Sequence, residues 1–506
     1  MGAGYDPQVQ ATFGVYEDAK LQQFLTEKGM AMAKISHRPN LPWQFKVVDS
    51  PVVNAFAVPG GYVYFTRGIL AHFNSEAQLA GVLGHEIGHV TARHSARQQT
   101  GQILGQLGLI IGVVAAPELA QYADIANQGL GLMFLKFSRD HETESDGLGV
   151  DYSGKIGYDA RQMATFFGTL RRIGEKSGQD IPTFLSTHPD PGDREKKVDL
   201  LARAWQQKKP GTYVENRNAY LQLIDGIIYG DDPKQGYVEN GIFYHPELKF
   251  QFPVPADWAH QNSPIQFQMA SKDGKAMMLL TLAQGKTLEE AAQATAQQYS
   301  LKVLDSRRTT IDGNSCLVLL SERVEQQQGQ SGQQVQRSQA SGNGRTTNTQ
   351  GGYGQGQRND GQTNGSGQPR QKGQTTNTSG TQGRTTNANT GQAAQDPNAV
   401  RVLTYLIQYN GQIYAIHGLT YAALFNQYSP QFDRTAQGFK KLTDPDKINR
   451  QPERIRVKKT ERATTFAEAM TQFGMPAARL EELAILNGMD KNTTIQAGTL
   501  LKTINK

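Results

Sequence analysis

The chain holds a single cysteine, Cys316, in 506 residues, so no disulfide can form within it. That thiol sits in the apolar run CLVLL and reads as a buried strand residue. The compartment stays open, because oxidising compartments also hold proteins without disulfides. Long hydrophobic runs are missing too. The nearest, ILGQLGLIIGVVAA at 103–116, is short and broken by Gly and Gln, which excludes a membrane span. It reads as a buried helix or a flap over a cleft, with shallow peripheral contact with a bilayer as the alternative. No dense basic block carries the net charge of +6, which comes from 52 Lys and Arg against 46 Asp and Glu. A nucleic-acid partner is therefore not expected, whereas a mild attraction to anionic cell-envelope polymers fits. The opening MGAGYDPQ has neither the basic nor the apolar region of a secretory signal, and the expectation is that a native signal is absent from this chain.

Apolar residues are also scarce, at 37%, while glycine reaches 53. This combination points to folded domains diluted by a disordered segment. The diluting segment is 325–396, made mainly of Gln, Gly, Thr, Asn, Ser and Arg, and without enough apolar surface to order itself. It interrupts a strand-rich α/β region at 210–324 and 397–449. The strand before it (NSCLVLLSERV) and the strand after it (VRVLTYLIQY) are expected to pair as neighbours, since loop closure costs grow only logarithmically with length. Residues 1–209 read as one α-rich domain. Within it WQFKVVDS and NAFAVPGGYVYFTRGIL read as short strands around a Pro-Gly-Gly turn. Residues 450–506 read as a small unit of strand, helix, helix, strand.

What the α-rich domain does have is GVLGHEIGHVTARH at 81–94, on a helix opened by the S-x-x-Q capping pattern of Ser75 and Gln78. His85 and His89 are four residues apart, so both imidazoles leave one helix face and can meet one cation. Glu86 is displaced around the helix and can reach a water activated by that cation without ligating it, the position of a general base. A catalytic zinc site needs a third protein ligand and one open position. SRDHETESDG at 138–147 offers one. Glu142 and Asp146 again share a helix face, so Glu142 is the expected ligand and Asp146 the expected acceptor from a ligating imidazole. His141 and Glu144 compete for the third place but point to other faces. His94 and Arg93, past the ligands on the same helix, are assigned to packing and solubility. His37, His72, His245, His260 and His417 are read as structural.

These segments together resemble the gluzincin zinc peptidases of family M48, whose pattern is H-E-x-x-H on one helix and E-x-x-x-D on a later one. VVNAFAVPGGYVYFTRGIL and STHPDPGDRE (186–195) carry the resemblance further, over about residues 10–205, and the branch without membrane-spanning helices is the nearer one. The resemblance implies one zinc per chain on His85, His89 and Glu142. It implies that His188, with Arg194 nearby, approaches the metal. There His188 would be either a reversible fourth ligand that holds the site closed or a donor to the tetrahedral oxyanion; a plain loop histidine is the alternative. Arg194 would hold the loop or stabilise substrate. Asn54, Ala55, Phe56 and Ala57 would form an edge strand on which a polypeptide substrate lies extended.

The C-terminal segment resembles a LysM module, a small βααβ fold that binds peptidoglycan-like glycans. The Asn487-Gly488 turn follows that layout, while Glu461-Arg462-Ala463 replaces the usual Gly-Asp. The expected fold class is thus α+β and multidomain: an α-rich gluzincin domain with a small sheet, an α/β sheet domain holding a disordered insertion, and a βααβ module with a peptidoglycan or envelope-protein partner. The expected function is a zinc metalloendopeptidase of the periplasm or cell envelope, acting on misfolded or misassembled proteins. The alternative is a zinc-bearing, chaperone-like or wall-tethered binding protein.

Overall fold

The computed structural model describes residues 2–95, 137–177, 184, 188, 191–324 and 396–505. The apolar stretch 103–116 lies outside these residues, as does the low-complexity insertion except for Asp396. The described fold is mixed α+β, with helices around a small sheet first and antiparallel sheets after.

Two helices open the chain, α1 (Gly2–Phe13) and α2 (Ala19–Ile35). Asp18 caps α2 by accepting from the Lys20 and Leu21 amides. The small sheet has the order β1-β3-β2, with β1 (Gln44–Val48) parallel to β3 (Tyr62–Thr66) and β2 (Ala55–Val58) antiparallel to it. The β2–β3 turn is Pro59-Gly60-Gly61, whose two glycines adopt φ of 104° and 98°, a region closed to most side chains. The strand expected to run on to Leu70 stops at Thr66. There the Thr66 hydroxyl accepts from the Ile69 amide at 3.2 Å, and helix α3 (Arg67–His72) begins. A local cap overrides the alternating pattern.

Helix α4 (Glu76–Thr91) follows, and every residue from Glu76 to Val90 is buried. Ser75 caps it through the Gln78 amide. Gln78 reaches back to the amide of Asn74, one residue before the position a capping box uses. Helix α5 (Arg139–Lys155) begins at its cap Ser138, α6 (Arg161–Ser177) at Asp159, whose carboxylate accepts from the Arg161 amide, and α7 (Pro191–Lys208) completes the group. Helices α4 and α5 meet through glycines. A Cβ on Gly149 would lie 3.0 Å from the Gly81 carbonyl and 3.1 Å from the His85 amide. This approach places Glu142 and Asp146, on the Gly149 face of α5, directly against the histidines of α4.

After α8 (Arg217–Leu223) and the short strand β4 (Ile228–Tyr229) the chain builds a four-stranded sheet, β15-β7-β6-β5, from β5 (Tyr237–Glu239), β6 (Ile242–His245), β7 (Phe250–Pro253) and β15 (Lys440–Lys441). A seven-stranded antiparallel sheet runs in the order β11-β12-β13-β14-β10-β9-β8. Its strands are β8 (Ala259–Ser263), β9 (Gln266–Ala270), β10 (Ala276–Leu282), β11 (Leu301–Ile311), β12 (Asn314–Arg323), β13 (Val400–Tyr409) and β14 (Gln412–Tyr421). Strands β12 and β13 pair from Cys316–Ile407 to Glu322–Arg401, as neighbours across the insertion. Cys316 is buried in this sheet, and burial pushes its thiol up to about 12. Helix α9 (Leu288–Gln298) covers one face and α10 (Phe425–Gln437) the other.

The C-terminal segment contains β16 (Glu453–Lys459), β17 (Thr464–Thr465), α11 (Phe466–Gln472), α12 (Leu480–Leu486), β18 (Thr494–Ile495) and β19 (Leu500–Asn505). It does not stand apart. β16 pairs with β19 on one side and with β4 on the other. Ile455, Phe466, Leu483, Leu486 and Leu501 belong to the same continuous core as Leu83, Ile87 and Phe166. The fully buried Lys502 donates to the carbonyls of Ala71 and Phe73 at 2.9 and 3.0 Å. The Asn487 side chain ties the end of α12 to β19 by bonding the Lys502 amide and carbonyl.

Candidate metal centre

Helix α4 presents His85 and His89 one turn apart, both buried, with their Nε2 atoms 3.0 Å from each other. Glu142 on α5 faces the same point, with carboxylate oxygens 3.5 Å from His85 Nε2 and 3.4 Å from His89 Nε2. His188 completes the group. Its Nδ1 lies 3.3 Å from His85 Nε2 and 3.1 Å from each Glu142 oxygen. Its ring stacks on Phe184 at 4.5 Å, and its amide donates to the Phe184 carbonyl. Among the described residues, this is the group of His, Cys, Asp and Glu donors whose atoms, all within 4.8 Å of one another, could hold a metal ion.

The donor set fits zinc. Both α4 imidazoles turn Nδ1 outward to partners and Nε2 inward, so their ring lone pairs face one point; nitrogen and carboxylate oxygen are the atoms zinc takes. On His85 the outward partner is Asp146, 3.0 Å from Nδ1, the carboxylate–imidazole arrangement that fixes a ring and raises its basicity. Arg194 grips Asp146 through two bonds of 2.9 and 2.6 Å, reaches Glu142 Oε2 at 2.8 Å and lies over the Phe167 ring. The buried guanidinium is thus turned to the two carboxylates and orients both. His141 and Glu144 are not among these donors: the His141 ring stacks on that of His94, and Glu144 Oε2 lies 3.2 Å from His94 Nε2.

Electrostatics follow from burial and these neighbours. Burial pushes His89 well below its ordinary value, which keeps the imidazole neutral. Burial also raises Glu142, but the positive charges of His188 and Arg194 outweigh it and hold that carboxyl well below the usual range. His188 is raised despite burial because Glu142 and Glu86 face it. Glu86, 1% exposed, is raised by burial, with His188 and His85 opposing. Its Oε1 has no hydrogen-bond partner; His188 Nε2 stands 3.7 Å away. A buried carboxylate with a raised pKa and a free oxygen is suited to accept and return a proton.

Among the described residues, β2 (Ala55–Val58) is the last strand of its sheet, bonded to β3, and Asn54 immediately precedes it. A cavity of about 300 Å³ is lined by Ala57, Val58, Pro59, Gly60, His89, Val90 and Arg93, among others, so the β2 edge and a donor of the cluster border one space. Asn54 is 1% exposed and both its amide atoms lack a partner, an expense a fold rarely tolerates without use. His94 has a contact that its sequence reading did not include. Of the packing and solubility expected there, only packing agrees with its full burial, and its Nδ1 lies 3.0 Å from His89 Nδ1. The spacing of five from His89 hid it, because an unbroken helix puts i and i+5 on different faces.

Residues 19–202 match peptidase family M48. The mitochondrial metalloendopeptidase OMA1 of Arabidopsis thaliana is 35% identical over 193 residues, 38% of this chain and 37% of that protein. The beta-barrel assembly-enhancing protease of Escherichia coli is 30% identical over 231 residues, 44% of this chain and 46% of that protein. The protein of the same name from Yersinia pestis is 28% identical over 302 residues, 58% and 57% respectively. The chain spans about half the length of the curated relatives it matches, or less.

Proposed function

We propose, from the premise that residues 19–202 form a domain of peptidase family M48, that the whole chain is a zinc-dependent endopeptidase whose site is held closed by His188. The observation that carries this reading is the convergence of His85 Nε2, His89 Nε2, a Glu142 oxygen and a His188 nitrogen on one buried point beside an unpartnered Glu86 oxygen. His85, His89 and Glu142 hold the ion, which supplies Lewis acidity toward water and the scissile carbonyl. Glu86 Oε1 takes the proton of the attacking water and returns it to the leaving amide nitrogen. The β2 edge binds the substrate backbone in extended form, and the buried Asn54 amide joins it only once the site opens. His188 occupies the position a catalytic site keeps open, so it leaves before substrate enters. In the opened site it is placed to donate to the carbonyl oxygen.

The substrates we infer are misfolded or misassembled envelope proteins, and the place of action the periplasm or cell envelope. The name of the Escherichia coli relative, an assembly-enhancing protease, supports this. Among the described residues no helix is long and apolar enough to cross a membrane. The LysM-like segment is read as a contact to envelope glycan or protein. One observation favours a second reading, a zinc-bearing binding protein: four protein donors already close the cluster.

Zinc content and casein cleavage of the wild type, Glu86→Gln and His188→Ala decide between them. The expected results are about one zinc per chain, cleavage lost by at least about a hundredfold in Glu86→Gln, and cleavage raised in His188→Ala. Full activity in Glu86→Gln freed of contaminants sinks the enzyme reading. Zinc without cleavage in all three moves the conclusion to the binding protein.

A further inference from the structure

The two α4 histidines are supported differently on their outward sides. His85 meets a carboxylate directly, at Asp146. His89 meets another imidazole. Its Nδ1 lies 3.0 Å from His94 Nδ1; His94 Nε2 lies 3.2 Å from Glu144 Oε2; and the Ser145 hydroxyl lies 3.3 Å from His94 Nδ1. His94 is 0% exposed and its ring stacks on that of His141 at 4.2 Å. The chain reaches this position by leaving the helix. Arg93 takes the left-handed conformation, φ 59°, and so turns the following residue back onto the flank of α4.

We infer that His94 is a positioning residue for the metal ligand His89, accepting its Nδ1 proton and passing polarisation on to Glu144. The inference rests on the reading of the cluster as a zinc centre. Its chemistry is fixed by proton counting. His89 Nε2 faces the cluster and must be bare to hold a metal, so the one proton of the neutral ring is on Nδ1. The atom opposite, His94 Nδ1, must then be bare and accept. That leaves the His94 proton on Nε2, where it is donated to the Glu144 carboxylate. The Ser145 hydroxyl, 3.3 Å from the same nitrogen, is the longer and secondary contact to its single lone pair. The order Glu144, His94, His89 extends by one ring the carboxylate–histidine pairing that orients zinc ligands. Glu144 is half-exposed, with 46% of its side chain accessible, so the His89 side is anchored to a solvated charge and the His85 side to a buried one.

The test is zinc affinity of the full chain, measured by competition with a chromogenic chelator, with the visible spectrum of the cobalt-substituted protein beside it. His94→Asn places an amide oxygen where Nδ1 stands and keeps the acceptor. His94→Gln fills more of the volume but moves its polar atoms to the Nε2 position. A positioning role predicts zinc affinity within about threefold of wild type for His94→Asn, and a loss of about 10–100-fold with an altered cobalt spectrum for His94→Gln. A packing role predicts the reverse order, and that order, or two variants equal to wild type, overturns the inference. Should neither variant fold, Glu144→Ala decides: weakened zinc supports the relay and unchanged zinc removes it. The zinc-site reading fails separately, if the wild type binds no zinc or if His89→Ala binds it as well as wild type does.

Discussion

The seven-stranded sheet and the C-terminal segment are attached to the peptidase region in opposite ways. The sheet is the larger and comes first in the chain, yet it has cores of its own, between α10 and one face and between α9 and the other. The C-terminal segment is small and comes after it, yet it contributes Ile455, Phe466, Leu483 and Leu501 to the core that also holds Leu83 and Ile87, the neighbours of the metal helix histidines. Its strand β16 is tied to β4, and buried Arg67 reaches the carbonyls of Ile228 and Gly230 beside that strand. Distance along the sequence says nothing about dependence here. A segment that resembles a free-standing module is part of the floor on which the zinc helix rests.

Removal of whole pieces is expected to have the largest effect. Deleting 450–506 uncovers several fully buried large side chains, each contributing about 1.5–3 kcal/mol, against a total stability of about 5–15 kcal/mol. The expected outcome is loss of the cooperative thermal transition and of zinc binding. Replacing 326–394 by a short Gly-Ser turn joins two strands that are already neighbours, and the melting temperature is expected to stay within a few degrees. If the first deletion melts like wild type and binds zinc, the shared core is not structural.

Single side chains distinguish the two cores on a smaller scale. Leu483 and Leu406 are both 0% exposed, one in the shared core and one in the sheet. Each change to Ala is expected to cost about 2–5 kcal/mol. Only Leu483→Ala should also weaken zinc in a chelator competition; equal zinc affinity in the two would remove the distinction.

The smallest effect concerns Lys502. Burial, with Arg217 adding to it, holds its ammonium well below the ordinary lysine value. Between the folded pKa and the unfolded one, near 10.4, the unfolded chain therefore carries more protons. Stability contributed at this site rises with pH through that window and is fully regained only above it. Melting temperature from pH 7 to 10 should climb in the wild type relative to Lys502→Met. Parallel profiles would mean that Lys502 stays charged, held by the carbonyls of Ala71 and Phe73.

Much of the candidate metal site was legible because its spacing is local. His85 with His89 and Glu142 with Asp146 are each one helical turn apart, and a turn is geometry that sequence alone prescribes. Strands β12 and β13 could be matched across the insertion by their apolar runs. The same local logic misled at Arg67, where a threonine cap outweighed the strand pattern, and it did not reach the contact of His94 with His89, which follows the left-handed turn at Arg93. The unpartnered amide of Asn54 and the shared core were out of reach for a different reason. Both depend on which surfaces meet in three dimensions, and an apolar residue such as Leu483 carries no mark of the partner it will bury against.

The tie of β19 to the backbone of Ala71 and Phe73 also sets an order in time. A ribosome makes residues near 70 more than four hundred residues before Lys502. Until then the carbonyls it will bind stay open and the floor under the zinc helix is missing. High separation between contacting residues slows folding, and here it means that a nascent or prematurely ended chain holds the H-E-x-x-H sequence without a rigid place to put it. Under the proposed function, proteolytic competence would then belong to chains that have been made as far as Lys502, a timing safeguard for the cell.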